Sequence, residues 1–248
     1  MLRVRGMVSI VGVFAVVLAL LLVALVSLAI GAAARRAGVH ATEASRTALW
    51  AGGGMALWLA VTAAVASTGF FTAWDARPPR LVFAPLTALF LVVVASRTEA
   101  FRRALRGAPL TWPVLLHTMR VPIELGLWAL FVAGELPEQM TFEGRNFDVL
   151  VGLTAPLVAL LVARGTWGAR ALLAWNLASL ALLVNIVAVA ITSIPGPLHL
   201  DWPGVPNTVV ARWPFVWLPA FFVPLAVFGH VISLRQLAAL RRERVDAR

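Results

Sequence analysis

Three ionisable side chains, His117, Arg120 and Glu124, stand within one long apolar run of the sequence, Thr111 to Gly134. Their spacing of i, i+3 and i+7 places all three on one face of an α-helix. At about 1.5 Å per residue, Glu124 lies roughly 20 Å along that helix, past the middle of an apolar layer about 30 Å thick. Charges at that depth are costly unless paired, so we expect Arg120 to pair with Glu124. This face is the best candidate functional site.

Three functions are compatible with such a face. Ionisable side chains inside a membrane often mark the path of an ion or substrate, which favours transport or ligand binding. Alternatively, His117 and His230 are candidate axial ligands of a b-type haem in an electron-transfer subunit. The third alternative is a non-catalytic accessory or scaffold subunit, whose polar face holds helices together and which binds a protein partner. Because no H-E-x-x-H motif or spaced Ser/His pair is present, we expect the protein not to be an enzyme.

Other polar residues extend the candidate site. Asn176 and Asn185 lie within an apolar run, where amides usually form hydrogen bonds between helices. Glu143, Arg145 and Asp148 belong to an acidic loop whose oxygen ligands would suit a cation. Its spacing matches no calcium loop, and we expect its residues to be solvated or, like Asn146 and Asp148, to cap the next helix.

The composition predicts an all-α, polytopic membrane protein. Hydrophobic residues make up 61% of the 248 residues and charged residues 13%, and the mean hydropathy is +0.90. Soluble domains are about half apolar and a quarter charged. We expect one transmembrane domain over residues 1–248, with seven spans at about 7–33, 47–71, 81–96, 111–134, 147–163, 168–193 and 212–234.

The arginine distribution predicts the orientation of these spans. Fourteen arginines fall on one side of a seven-span arrangement and six on the other. By the positive-inside rule, the C-terminus is cytoplasmic and the N-terminus outside. The net charge of +10 therefore indicates contact with anionic lipid headgroups at the cytoplasmic face rather than with nucleic acid.

Missing residue types exclude several classes of protein. All 21 basic residues are arginine, and the chain has no cysteine or tyrosine. A retinal Schiff base needs a lysine amine, so a retinal protein is excluded, as are disulfides and thiolate metal sites. No cofactor other than the haem alternative is indicated. The apolar core of the first run exceeds the roughly 7 to 15 residues of a signal peptide, and we expect it to be a retained helix.

Two basic segments and three prolines mark the ends of the spans. Residues 97–106 and 234–248 alternate arginine with apolar residues, which predicts short helices along the inner membrane surface or, for the first, a continuation of the preceding span. Pro214, Pro219 and Pro224 predict that the last span is bent or unwound, because each removes a backbone hydrogen bond.

Three strings suggest a family. Met140 to Asp148 (MTFEGRNFD), Trp213 to Pro219 (WPFVWLP) and Gly229 to Gln236 (GHVISLRQ) resemble those of a group of uncharacterised bacterial multi-pass integral membrane proteins. The resemblance covers the C-terminal half, from His117 onward. It implies a location in the bacterial cytoplasmic (inner) membrane, and it implies no function or site residue.

Overall fold

The computed structural model describes residues 2–246 and contains no strand in that range. Its α-helices are α1 (Leu2–Arg36), α2 (Ala41–Ser67), α3 (Phe83–Ala95), α4 (Glu99–Gly107), α5 (Thr111–Leu116), α6 (Arg120–Val132), α7 (Asp148–Ala163), α8 (Ala169–Ser193) and α9 (Val223–Asp246). Met1, Ala247 and Arg248, the last included in the arginine count above, lie outside the described residues, as do the side chains of Leu2, Arg3 and Arg244.

Several helices are long and apolar enough to span a membrane. Within the described residues five segments qualify, and a sixth does if the bent pair formed by α3 and α4 counts as one. The five are Val4–Arg36, Ala41–Ser67, Thr111–Val132, Ala169–Ser193 and Leu218–Glu243. The all-helical class is thus confirmed, because long apolar runs satisfy their backbone hydrogen bonds locally in a helix.

The basic segment after α3 forms a helix of its own. The segments Arg80–Ala95 and Glu99–Gly107 meet at 79°, so α4 does not continue α3. Thr98 starts α4 as its N-cap, since its hydroxyl accepts a hydrogen bond from the backbone N–H of Phe101 at 3.2 Å. Of the two alternatives for this segment, the separate short helix is the observed one.

The last helix departs from its predicted bounds at both ends. It begins at Leu218 rather than Arg212, with five residues, Leu218–Phe222, in π-helical form around Pro219. This unwinding is the irregularity predicted from the prolines. The separate surface helix expected over 234–248 is wrong within the described residues, because α9 continues without a break to Asp246.

The π-helical segment is part of the main apolar core. Its residues Ala220 and Phe221 are buried, and the segment packs against α2 and α3. Its irregular backbone also joins it to α2. The indole N–H of Trp58 donates to the Ala220 carbonyl at 2.8 Å, and that of Trp217 donates to the Leu59 carbonyl at 3.1 Å.

Candidate functional site

A short break in the helix interrupts the fourth apolar run, at the point where His117, Arg120 and Glu124 lie. Between α5 and α6 the backbone tightens into a 3-10 turn, His117–Met119. Pro122 lacks the N–H that would bond to the Thr118 carbonyl, which weakens the helix at this point. His117, Arg120 and Glu124 are all buried, with at most 3% of their surface exposed. The predicted shared face therefore points into the protein.

Arg120 pairs with a residue that is distant in sequence. One terminal nitrogen of its guanidinium donates to Asp148 Oδ1 at 2.9 Å, and the other contacts His230 Nε2 at 2.9 Å. The predicted pair with Glu124 is wrong, because the start of α7 packs against the 3-10 turn and brings the Asp148 carboxylate to the guanidinium first. Asp148, expected to be a solvated loop or cap residue, is likewise buried.

This close packing depends on Gly152 of α7. A Cβ atom at this position would lie 2.7 Å from Val121 Cγ2 and 2.8 Å from the Val121 backbone nitrogen. Since a backbone atom cannot move aside, Gly152→Ala is expected to push α7 away from α6 and to lower the free energy of unfolding by about 1–3 kcal/mol. Thermal unfolding in detergent measures this change.

Gly53→Ala is the control for that variant. Nothing lies within 4 Å of a Cβ atom at Gly53, which is also inside a helix. Its replacement is expected to leave stability unchanged or to raise it by roughly 0.5–1 kcal/mol through helix propensity. Equal stability of the two variants would show that α6 and α7 are not held together as tightly as their backbones indicate.

Glu124 is held by the loop before α7. The Asn146 side-chain amide donates to Glu124 Oε2 at 2.6 Å and to the Met140 carbonyl at 3.0 Å. The side-chain oxygen of Asn146 accepts from the backbone N–H of Asp148, the first residue of α7, at 3.1 Å, although the N-cap position itself is Phe147. Asn146 is fully buried, although the sequence predicted only a capping or solvated role for it.

The tautomer of His230 follows from its neighbours. Arginine only donates hydrogen bonds, so His230 Nε2 must accept from Arg120, and the ring proton is on Nδ1. Nδ1–H then donates to Asn176 Oδ1 at 3.1 Å, and the Asn176 amide donates to Ser233 Oγ at 2.8 Å. A directed chain of hydrogen bonds therefore runs from Arg120 through α8 to α9. Asn176 joins these two helices, as expected of a buried amide.

His117 touches His230 but does not join this network. Their ring centroids are 4.1 Å apart at an interplanar angle of 32°, and Trp175 lies edge-on at 5.7 Å. Neither nitrogen of His117 has a hydrogen-bond partner among residues 2–246. Axial histidines need an iron-porphyrin plane between them, and two rings in direct contact leave no space for one. This arrangement of His117 and His230 does not fit a bis-histidine haem.

The buried polar side chains described above form what we call the charged cluster: His117, Arg120, Glu124, Asn146, Asp148, Asn176, His230 and Ser233. A small cavity of about 60 Å³ adjoins this cluster. Arg120, Glu124 and Asp148 line it together with apolar side chains of α8 and of the π-helical segment, such as Leu183 and Phe222. A cavity of this size has room for a few water molecules. The cavity therefore provides space for water beside Arg120, Glu124 and Asp148.

The remaining predicted residues lie apart from this cluster. Asn185 donates to the Arg145 carbonyl at 2.8 Å, and the Arg145 guanidinium lies 4.9 Å above the Trp202 ring. Glu143 accepts from the Trp128 indole at 2.9 Å. Within residues 2–246, no group of three or more acidic or histidine side chains is arranged to hold a metal ion. The acidic loop is instead held in place by its contacts with the aromatic side chains Trp128 and Trp202 and with Asn185 of α8.

Comparison with known proteins gives a family but no function. Residues 78–238 match the model of a family described as a Domain of unknown function (DUF8737). Every member of the charged cluster, from His117 to Ser233, lies inside this segment, whereas α1 and α2 lie outside it. No curated protein and no solved structure matches the chain.

Proposed function

We propose that this chain, which belongs to the DUF8737 family, is a multi-pass protein of the bacterial cytoplasmic membrane in which Glu124 binds and releases a proton during transport or ligand binding. We assign it no catalytic activity. The charge balance of the buried cluster carries this proposal. Two carboxylates, Asp148 and Glu124, share a single arginine, so the cluster bears one excess negative charge unless a proton or cation neutralises it.

The contacts indicate which carboxylate takes the proton. Arg120 directs its terminal nitrogens to Asp148 and His230, and Glu124 makes no salt bridge within residues 2–246. The only hydrogen bond to the Glu124 carboxyl group in that range comes from the neutral Asn146 amide. Since a lone buried carboxylate is expensive, Glu124 is the group that gains from protonation. Its position beside the 60 Å³ cavity supports exchange of that proton.

The topology that we propose has seven crossings. Five long helices, the segment Arg80–Ala95 that contains α3, and the 16-residue α7 make up this number. α7 extends about 24 Å, slightly less than the apolar layer, a mismatch that a locally thinner bilayer accommodates at modest cost. Fourteen of the arginines fall on the membrane face that also carries the C-terminus. By the positive-inside rule this face is cytoplasmic, and the N-terminus lies outside.

Glu124→Gln tests the proposed proton site. Infrared difference spectra between two pH values are expected to contain the band of a protonated carboxyl group in the native protein and to lack it in the variant. In proteoliposomes, pH-dependent flux or binding is expected to be abolished. Glu138→Gln, at an exposed position of the loop before α7, is the control and should leave both unchanged. A band that persists in Glu124→Gln would show that another group takes the proton.

A scaffold or accessory subunit is the second candidate. One observation favours it: the hydrogen bonds of the cluster connect α6, α7, α8 and α9, so the same residues hold the bundle together. A subunit of this kind would be purified with a stable protein partner, and it would have no intrinsic flux. Purification in mild detergent followed by mass measurement distinguishes it from a transporter that acts alone.

A further inference from the structure

A second, much larger cavity is lined by none of the residues of the charged cluster. It is a groove of about 840 Å³ bounded by α1, α2, α4, α5 and α9. Its walls are almost entirely apolar and include Leu22 and Val26 of α1, Ala51 of α2, Phe101 and Ala104 of α4, and Phe228 of α9. Its volume is within the range of about 300–1,000 Å³ typical of sites for small molecules.

Two arginine-rich segments adjoin the lining residues at one end of this groove, which we call its basic mouth. The two segments that border it, residues 35–46 and 97–106, contain seven arginines and two glutamates. Glu99 is shared by Arg102, Arg103 and Arg106, and the hydrogen bond from Arg102 holds the pKa of Glu99 below its ordinary value. Both glutamates are therefore already neutralised by arginines, and positive charge remains in excess.

Arg36 connects the basic mouth to the apolar wall. Its guanidinium lies 5.9 Å from the ring centroid of Trp112, a side chain that lines the groove. Arg36 has no salt bridge within the described residues. A cation held against an aromatic ring at the end of an apolar channel suits a ligand with an anionic head and a hydrocarbon tail.

The packing of α4 argues against a helix as the occupant. Gly107 at the end of α4 packs directly against the backbone of Ala33 and Ala37, at the end of α1. A helix of a partner protein lying along α1 would therefore meet α4 at the basic end of the groove. A lipid meets no such obstacle, because its headgroup lies at that end and only a flexible acyl chain enters between the helices.

We propose that this groove is a binding site for one anionic phospholipid, with the phosphate at Arg36 and an acyl chain against α1 and α2. The site is separate from Glu124 and is formed partly by helices outside the matched family segment. The lipid acts as a structural ligand that fills the space between α1 and the remainder of the bundle.

Native mass spectrometry of the full-length protein in detergent tests this site. Dioleoyl phosphatidylglycerol and dioleoyl phosphatidylcholine, which differ only in the headgroup, are added in parallel. The phosphatidylglycerol adduct is expected with a stoichiometry of one and with roughly tenfold higher affinity. Arg36→Gln should weaken it about fivefold, whereas Arg164→Gln, a matched change of an exposed arginine outside the groove, should not.

A second pair of variants tests the location of the acyl chain. Ala51→Trp fills the groove and is expected to lower binding roughly tenfold or more, whereas Ala60→Trp, at an exposed position of the same helix that does not line the groove, leaves binding unchanged. Equal affinity for the two lipids, unchanged binding in Ala51→Trp, or a lipid-free dimer that Ala51→Trp dissociates would each overturn the proposal. The last outcome would identify a second copy of the chain as the occupant.

Discussion

Asp148→Ala is expected to lower the free energy of unfolding by about 3–5 kcal/mol. The variant leaves the Arg120 guanidinium buried, with 2% of its surface exposed, and without its only salt-bridge partner within the described residues. Glu124 is buried nearby but makes no salt bridge with Arg120 within these residues, and a buried charge without a directly bonded partner costs far more than the net stabilisation from the intact pair. Thermal or SDS-induced unfolding in detergent micelles measures the loss.

Two further variants distinguish this cause from simple loss of packing. Asp201→Ala removes an exposed aspartate and is expected to change stability by less than about 0.5 kcal/mol. Replacing the pair together, with Arg120→Met and Asp148→Leu, removes both charges and is expected to recover stability to within about 2 kcal/mol of the native protein. If the double variant is no more stable than Asp148→Ala, the unpaired charge is not the cause.

His230→Leu and His117→Leu are expected to differ sharply although the two rings are in contact. His230→Leu removes the ring nitrogen that accepts from Arg120 and the ring N–H that donates to Asn176. The Arg120 guanidinium and the Asn176 amide then stay buried, each without its hydrogen-bond partner on His230. Its expected cost is about 2–4 kcal/mol. His117→Leu removes ring nitrogens that have no partner within residues 2–246, so its expected effect lies within about 1 kcal/mol of zero.

The two histidine variants are matched in burial and in size. Both side chains have at most 1% of their surface exposed, and both are replaced by a residue of similar volume. Thermal unfolding in the same detergent gives the difference directly. Equal destabilisation by the two variants would mean that stacking of the rings, rather than the hydrogen bonds of His230, stabilises this part of the bundle.

The double variant without Arg120 and Asp148 also separates the two proposed functions. With Arg120→Met and Asp148→Leu the bundle is expected to remain folded, while Glu124 loses the charges that surround it. A transporter would then lose its pH-dependent flux, since its proton site has a different electrostatic environment. A scaffold subunit would retain its protein partner, because its outer surfaces are unchanged.

Local features of the sequence were sufficient to predict the apolar helices and the buried polar face. Apolar runs predicted the helical spans because a helix satisfies its backbone hydrogen bonds within a single segment. The spacing of His117, Arg120 and Glu124 predicted that they share a face, and all three are buried. The prolines predicted the unwinding at Leu218–Phe222, because a missing N–H acts on its own helix.

The partners of these side chains were decided by the tertiary structure. Glu124 stands four residues from Arg120, and Asp148 is 28 residues away, yet Asp148 forms the salt bridge. Helical periodicity specifies only the direction in which a side chain projects, whereas the packing of α7 determines which charge lies opposite. The contact of His117 with His230 and the apolar groove likewise depend on helices meeting across the bundle, which no local pattern encodes.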